Sequence, residues 1–320
     1  MKISTKAWII IATVSTLIGI TVFGGAMSFL KWDFSKLSTG KYETKTHLIT
    51  ESFSNISIDV GTANISILPS SNGMCSVVCY EREKQLHSAE VSDGTLKISV
   101  TDTRKWYDHI GINLGSPKIT VYLPAVEYDN LTVKTDTGST YLPADLVFSD
   151  ISVKASTGNI YCAATTLGSV NLKTDTGDIS VENISPTSID LTVTTGIITV
   201  SDVRTEGEVS IHISTGKTYL ENVKCRDLTT KGDTGDISLS GAVAEGKLTV
   251  QRTTGNVLLD GCDGAEISVT TDTGDVKGTL LTEKIFIAHS DTGRVIVPNT
   301  SSGGRCEITT DTGNIKIEIK

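Results

Sequence analysis

The triplet Asp-Thr-Gly recurs through the chain, as in "KTDTGDISV" at 173–181, "GDTGDISL" at 232–239 and "TDTGDVKG" at 271–278. Aspartic proteases place two catalytic carboxylates side by side, so proteolysis is the first chemistry to consider. The residue two before the glycine varies, however, among Asp136, Ser156, Asp175, Thr194, Ser214, Asp233, Thr253, Asp272, Asp291 and Asp311. A hydroxyl cannot replace a catalytic carboxylate, but it can replace one as a turn acceptor for the backbone N–H two residues on. The triplet therefore predicts a structural turn and no catalytic residue.

The glycine of this triplet marks a repeat of 19 or 20 residues. It stands at Gly138, Gly158, Gly177, Gly196, Gly216, Gly235, Gly255, Gly274, Gly293 and Gly313. Residues seven and five before it, and two and four after it, are mostly Leu, Ile or Val, with Thr, Ser, Lys, Asp or Glu between them. Alternation on both sides of a turn predicts two strands per unit, joined at the glycine.

A unit of this length cannot bury its apolar face alone, but stacked copies can, at about 4.8 Å per rung. The sequence thus predicts an all-β, single-domain parallel β-solenoid of about ten rungs over residues 129–320. Residues 47–128 contain strand patterns without the strict period, and we expect them to cap the N-terminal end. At the other end, Lys316, Glu318 and Lys320 put charge on the last strand, which would discourage end-to-end stacking.

The N-terminus has a different composition. Residues 8–30 carry no charge and are long enough for a transmembrane helix, which would bind the lipid bilayer. Residues 1–7, with Lys2 and Lys6, then form a cytoplasmic end, and residues 31–46 a linker to an extracytoplasmic body. The alternative is a secretory signal cleaved after Ala26, with Gly24 and Ala26 at the −3 and −1 positions of the cleavage site.

The ladder of aspartates raises the question of a metal. Asp272, Asp291 and Asp311 fall on the last three units, with Asp275 and Asn314 nearby. Neighbouring rungs would put Asp272 and Asp291 about 4.8 Å apart. Oxygen ligands at this spacing suit Ca²⁺, but solvated turn residues explain the pattern equally, and the sequence favours that alternative. We expect no cofactor.

Other reactive residues lack a pattern. The five histidines show no ligand spacing and are expected at the surface, and the six cysteines suggest no disulfide framework. The net charge of −9 without a basic block argues against nucleic acid as a partner. The stretch 102–116, with Trp106 and Tyr107, interrupts the strands and is the candidate interaction loop.

Several segments resemble a bacterial β-strand-repeat family of unknown function that is catalogued among adhesins. They are "FSNISIDVGTANISILPS", "GTLKISV", "ITVYLP" and the "LTVKTDTGSTYL"-type units, which together cover about residues 50–320. The resemblance implies a β-solenoid body, often behind a membrane segment, and an adhesive or envelope-associated role.

These observations favour a non-enzymatic, membrane-anchored rod outside the cytoplasm that acts in surface interaction or adhesion. One alternative is a structural or stress-response envelope component that binds a neighbouring membrane protein. A second alternative is a carbohydrate-active enzyme, which would need acids and bases clustered in one outward patch. The outward columns are instead mostly Thr, Ser and Lys. No specific ligand, partner or oligomeric state follows from the sequence.

Overall fold

A computed structural model describes residues 5–33, 41–106 and 115–320. The chain begins with one helix, α1, at Thr5–Phe29. The strands that follow, β1 to β26, are Tyr42–Ile49, Asn55–Thr62, Asn64–Pro69, Cys75–Arg82, Gln85–Ser92, Thr95–Asp102, Lys118–Leu123, Glu127–Thr137, Thr140–Leu142, Val147–Thr157, Ile160–Cys162, Thr165–Thr166, Ser169–Thr176, Ile179–Glu182, Ser188–Ser201, Glu208–Glu221, Lys224–Cys225, Asp227–Thr234, Ile237–Ser240, Val243–Thr254, Val257–Thr273, Val276–Leu280, Lys284–Ser290, Val295–Ile296, Gly304–Thr312 and Ile315–Ile319.

These strands form a β-solenoid of about ten turns, as the repeat predicts. Equivalent residues of successive units pair in parallel and in register, so that Ile151 lies between Leu131 and Val170. The positions predicted to be apolar face inward and are almost fully buried over most of the rod, forming one continuous core. Each unit contributes one strand before the corner glycine and one after it. The solenoid therefore has two long ladders of strands, with a short third side where the chain returns.

The N-terminal end is closed by antiparallel strands. β2 and β3 already form a rung in register with β8 and β9, since Ile56 pairs with Leu131 and Ile65 with Thr140. β6 and β7 stack on this rung in parallel. Beyond them, β5 pairs antiparallel with β6, β4 pairs antiparallel with β7, and β1 covers β4. Because β1 begins at Tyr42, residues 42–46 of the predicted linker belong to this cap.

The C-terminal end does not follow chain order. β25 pairs on one side with β21, where Ile267 meets Cys306, and on the other side with β23, where Phe286 meets Cys306. β26 likewise lies between β22 and β24. After β22 the chain skips the adjacent rung position and forms the next rung with β23 and β24. Its last repeat, β25 and β26, then occupies the skipped position between them.

This order corrects the prediction about the open edge. Lys316 and Glu318 lie on β26, and Lys320 follows it directly. β26 is an internal strand, and the terminal rung is formed by the penultimate repeat. The physical reason lies in the inward side chains. The last repeat has four inward side chains that suit a rung with another rung on each side. All four are fully buried: Cys306, Ile308, Ile315 and Ile317.

Candidate functional site

The corner glycines explain why the Asp-Thr-Gly triplet recurs. Nine of the ten have φ between 124° and 159°, a region that residues with a side chain rarely adopt. A Cβ at any of the ten would lie only 1.7 to 2.2 Å from the carbonyl oxygen of the corner residue in the neighbouring rung. Each rung can stack at this corner only because no side chain is present there.

The threonine three before the glycine adds a second contact between rungs. Thr174 Oγ1 donates to Gly158 O at 2.9 Å, and Thr310 Oγ1 donates to Gly274 O at 3.0 Å. Both threonines are fully buried. The hydroxyl thus satisfies a corner carbonyl inside the solenoid, which accounts for the "TDTG" form of the repeat.

The aspartate two before the glycine does not accept the predicted turn hydrogen bond. Within the described residues, none of these ten side chains accepts an N–H from the residue two positions on. Nine of the ten are exposed at the outer surface of the corner. The prediction of an Asx or Ser/Thr turn at this position is therefore wrong. The backbone groups that such a turn would satisfy are used in the pairing between rungs, as in Gly158 N–H to Thr176 O at 2.8 Å.

The acceptor role falls instead to the residue directly after the glycine. Asn159 Oδ1 accepts the N–H of Asp178 at 2.9 Å, Asp275 Oδ1 that of Asn314 at 2.8 Å, and Asn314 Oδ1 that of Arg294 at 3.0 Å. Ile197 and Lys217 interrupt this column in mid-rod. The side chains that accept in this way are Ser139, Asn159, Asp178, Asp236, Asn256, Asp275 and Asn314, together with Asn64, which follows Ala63 at the equivalent corner of the first rung. The short oxygen-bearing residues of this column were the sequence signal for it.

These hydrogen bonds act on the carboxylates of the column. The backbone N–H of Asn314 and then the ammonium of Lys277 lower the pKa of Asp275. The backbone N–H of Asn256 lowers the pKa of Asp236 in the same way. An ionised carboxylate accepts more strongly than a neutral amide, so these two positions tie neighbouring rungs together through charge.

The candidate calcium ligands lie in a different order from the predicted one. Asp311 is flanked by Asp272 on one side and Asp291 on the other, because β25 lies between β21 and β23. Asp272 and Asp291 are therefore two rungs apart, roughly 9.6 Å, and not neighbours. Asp291 Oδ1 also lies 2.8 Å from His289 Nε2. Calcium binding here remains the less favoured alternative, and a calcium ion would have to lie beside Asp311, which is next to both other aspartates.

The outer side of the rung formed by β23 and β24, called the terminal edge below, is apolar. Ile285, Ile287 and Ile296 are 47%, 48% and 43% exposed. They occupy outward columns that are polar in the adjacent rung, where Arg305 pairs with Ile285 and Glu307 with Ile287. Each of the two strands has one partner strand among the described residues. The terminal edge thus combines unpaired backbone with exposed isoleucine.

The repeat geometry agrees with a known family. The profile of Toastrack DUF4097 matches residues 53–217 and 204–320, which together cover most of the chain. The chain belongs to the Toastrack family. This confirms the resemblance seen in the sequence motifs. The function of this domain family is unknown.

Several solved structures are similar to the chain at low identity. A "putative lipid binding protein" from Parabacteroides distasonis is 16% identical, with 88% of this chain and 98% of that chain covered and a TM-score of 0.48. A "putative adhesin" from Bacteroides fragilis is 15% identical, with 88% and 99% covered and a TM-score of 0.43. A second "putative adhesin" from P. distasonis is 14% identical, with 88% and 98% covered and a TM-score of 0.45. No curated protein matches the chain. At this level of similarity these proteins carry no argument about activity.

The N-terminal cap of this Toastrack chain contains a buried polar cluster. Glu81 is fully buried; its Oε2 accepts the backbone N–H of His87 at 2.6 Å and lies 3.0 Å from His87 Nδ1. Lys45 Nζ lies 3.2 Å from Glu81 Oε1. The ligand atoms of Cys79, Glu81 and His87 lie within 4.8 Å of one another, a spacing that could hold a metal ion. The ion would have to compete with Lys45 for the carboxylate.

This cluster was missed in the sequence. The prediction that all histidines lie at the surface is wrong for His87, which is 5% exposed. Burial and the nearby Glu81 carboxylate raise the pKa of the Cys79 thiol to about 12. Without a metal the thiol is therefore neutral and unreactive. The available signal was a glutamate at an inward position of β4, where an apolar residue would be expected.

An aromatic pair lies on one outer face of the Toastrack rod. Tyr141 and Tyr161 stack on adjacent rungs with ring centroids 4.9 Å apart and an interplanar angle of 10°. Tyr219 stands in the same column three rungs further on. From the sequence, the outward columns were described as mostly Thr, Ser and Lys. This column also contains tyrosines. Because the two stacked rings cover each other's faces, they do not form the flat platform on which a sugar ring would stack.

Two further surfaces have weaker features. Trp106 is 77% exposed at the end of the stretch that follows β6, while Tyr107 lies outside the described residues. A groove of about 730 Å³ on the return side is lined by Arg204 and Lys224 together with Glu206 and Glu245, among others. Its mixed charge does not favour one class of charged ligand.

Proposed function

We propose that this Toastrack chain is a non-enzymatic rod, anchored in a membrane by α1, that displays its solenoid outside the cytoplasm for surface interaction or adhesion. The observation that carries the proposal is the apolar terminal edge, which lies at the end of the rod opposite the N-terminal cap. The N-terminal cap, which follows α1 in the chain, and the terminal edge are separated by about ten rungs, or roughly 50 Å.

The properties of α1 support the anchor. The helix is long and apolar enough to cross a bilayer. Its three internal threonines donate their hydroxyls to the carbonyl four residues earlier: Thr13 to Ile9 at 2.9 Å, Thr16 to Ala12 at 2.9 Å and Thr21 to Leu17 at 2.8 Å. These bonds satisfy the three threonine hydroxyls within the helix, which suits a lipid environment. Lys2 and Lys6 before the helix favour a cytoplasmic N-terminus.

The repeat itself supports a role without catalysis. The Asp-Thr-Gly triplets shape a corner, and the Cys79, Glu81 and His87 cluster is buried inside the cap. Both arrangements are explained by the stacking and capping of rungs.

Protease treatment of intact cells tests where the rod lies. We expect added protease to digest residues 47–320 from outside the cell. We also expect the measured mass of the mature protein to include α1. Cells opened before treatment control for resistance of the fold itself. Digestion only after the cytoplasm is opened would contradict the proposal, and loss of residues 1–26 from the mature chain would replace the anchor by a cleaved signal.

Attachment of cells that display the protein tests adhesion. Replacing Ile285 and Ile287 by Lys should reduce attachment to surfaces or to one another. Leu258→Lys is the matched control, since Leu258 is 47% exposed in mid-rod, as Ile285 is at the edge. Equal attachment by both variants would argue that the terminal edge has no part in adhesion.

A further inference from the structure

We infer that the terminal edge is a self-pairing edge: β23 joins antiparallel to β23 of a second copy, with Phe286 at the two-fold axis. This inference rests on the proposed function, because it names a second copy of the chain as the partner of the displayed end. It follows from the backbone direction, the register of the side chains and the lack of protection at this edge.

The backbone of β23 has hydrogen-bonding groups directed away from the rod. Asp291 donates its N–H to Thr310 O of β25 at 3.3 Å. In a parallel ladder alternate residues bond to opposite sides, so within β23 the even-numbered residues Lys284, Phe286 and Ala288 direct N–H and C=O outward. The alternation ends after the strand, where Thr292 also donates its N–H to Asp311 O. The carbonyl of Lys284 is already used, since it accepts the hydroxyl of Thr300. Phe286 and Ala288 therefore offer the groups that a partner strand would bind.

The side chains select one register. Antiparallel pairing centred on Phe286 places Ile285 opposite Ile287 of the second copy, so that four isoleucines meet on the outer face. It also places Glu283 opposite His289, whose Nε2 lies 2.8 Å from Asp291 Oδ1 of its own chain. Both positions are exposed, and apolar cross-strand pairs stabilise a sheet.

The neighbouring registers are poorer. Centring on Ile287 places Glu283 opposite Asp291, which sets two carboxylates against each other. Centring on Ala288 places Ile285 opposite Asp291 and gives up the contact between isoleucines. Phe286 is directed to the core by its own rod, so only registers that pair even-numbered with even-numbered residues place the core faces of both copies on the same side of the joined sheet.

Among the described residues, the edge lacks the usual protection against pairing over most of β23, although Thr300 and Ser302 contact its first residue and the glutamate before it. Natural edge strands carry outward lysine, proline or a covering loop. Lys284 does not serve this purpose, since its Nζ lies 2.6 Å from Asp263 Oδ1 and its side chain is only 5% exposed. At the other end of the rod, antiparallel strands cover the corresponding edges.

The oligomeric state of the full-length protein in detergent tests the inference. We expect a dimer by light scattering, and we expect the double substitution Ile285→Lys, Ile287→Lys to raise its dissociation constant at least about tenfold, by placing four ammonium groups together. Leu258→Lys adds charge at an equally exposed mid-rod site and should leave the dimer intact. Both variants retain α1, so a difference between them reports on the edge and not on the helix.

Cysteine cross-linking tests the register. Chains carrying Ile285→Cys and chains carrying Ile287→Cys should form a covalent dimer when mixed under mild oxidation, whereas each alone should not. The six native cysteines are at most 5% exposed and give little background. Cross-linking of Ile287→Cys with itself would overturn the register.

A protein that is monomeric at all concentrations would overturn self-pairing and leave the edge to a strand of a different protein. That result, combined with digestion of the rod in intact cells, would refute this inference and retain the proposed function. Digestion only after the cytoplasm is opened would refute the proposed function, while the dimer could still be measured in detergent.

Discussion

The two ends of the rod differ in how their terminal strands are covered. At the N-terminal end, β4 and β5 cover the last parallel strands and β1 covers β4. At the C-terminal end, the last repeat is placed one rung inside, and the penultimate repeat is left at the edge. Terminal repeats of a solenoid must be capped or polar to remain soluble. The N-terminal end meets this requirement within the chain, whereas the C-terminal end keeps exposed isoleucine.

The comparison teaches that regular repeats do not fix the order of rungs. Any two neighbouring units can stack, because each presents the same corner and the same alternation. The choice between chain order and the observed order depends on how well each repeat fits a position with two neighbours. Ile308 and Ile315 fill an internal position, whereas Ala288 and Val295 of the penultimate repeat are smaller residues in the same columns.

Removal of the last repeat should have the largest effect. β25 and β26 are the partner strands of β23 and β24, so a chain ending at residue 303 should lose the structure of 284–303. We expect rapid cleavage in this segment during limited proteolysis. A chain ending at residue 281 is the control and should resist proteolysis up to its end. If residues 284–303 are protected in the chain that ends at residue 303, the penultimate repeat has moved into the position left by the last repeat. The order of rungs would then depend only on which positions are free.

Two substitutions in one column should differ by a smaller but measurable amount. Ile315 is fully buried, whereas Val295 is 37% exposed on the terminal rung. Ile315→Ala should lower the free energy of unfolding by about 2–4 kcal/mol, as for other buried isoleucines, and Val295→Ala by less than about 1 kcal/mol, since little buried surface is lost. Chemical denaturation of the two variants measures both. If the rungs followed chain order, Val295 would be internal and the ranking would reverse.

The sequence predicts the body of the rod better than its ends. The ten glycines and the alternation around them were sufficient for the fold, because every unit repeats the same inward columns. The position of β25 was not predictable in this way, since it depends on competition between two similar units for one site. The Glu81 cluster also escaped prediction, because a buried charge is satisfied by contacts across strands, as with Lys45, that no spacing along the chain reveals.

The smallest expected effect is at the junction where the last repeat enters the rod. Asp275 accepts the N–H of Asn314 at 2.8 Å, and this contact exists only because β26 lies next to β22. In chain order the donor would be Arg294. Asp275→Asn keeps an acceptor of the same shape, as at Asn256, but removes the charge, so the loss should be under about 1 kcal/mol at neutral pH because the site is partly exposed.

The pH dependence of this loss identifies its origin. The Asn314 N–H and Lys277 lower the pKa of Asp275 in the folded state, so its contribution is fully present above the unfolded value of about 3.9 and disappears as the pH falls through the folded value. The difference in unfolding free energy between the wild-type protein and Asp275→Asn should thus be constant above about pH 5 and shrink below about pH 4. Urea denaturation of both proteins from pH 3 to pH 7 measures this difference. A difference that does not change with pH would show that the carboxylate acts only as a neutral acceptor would, and that charge does not help to hold the last repeat in its internal position.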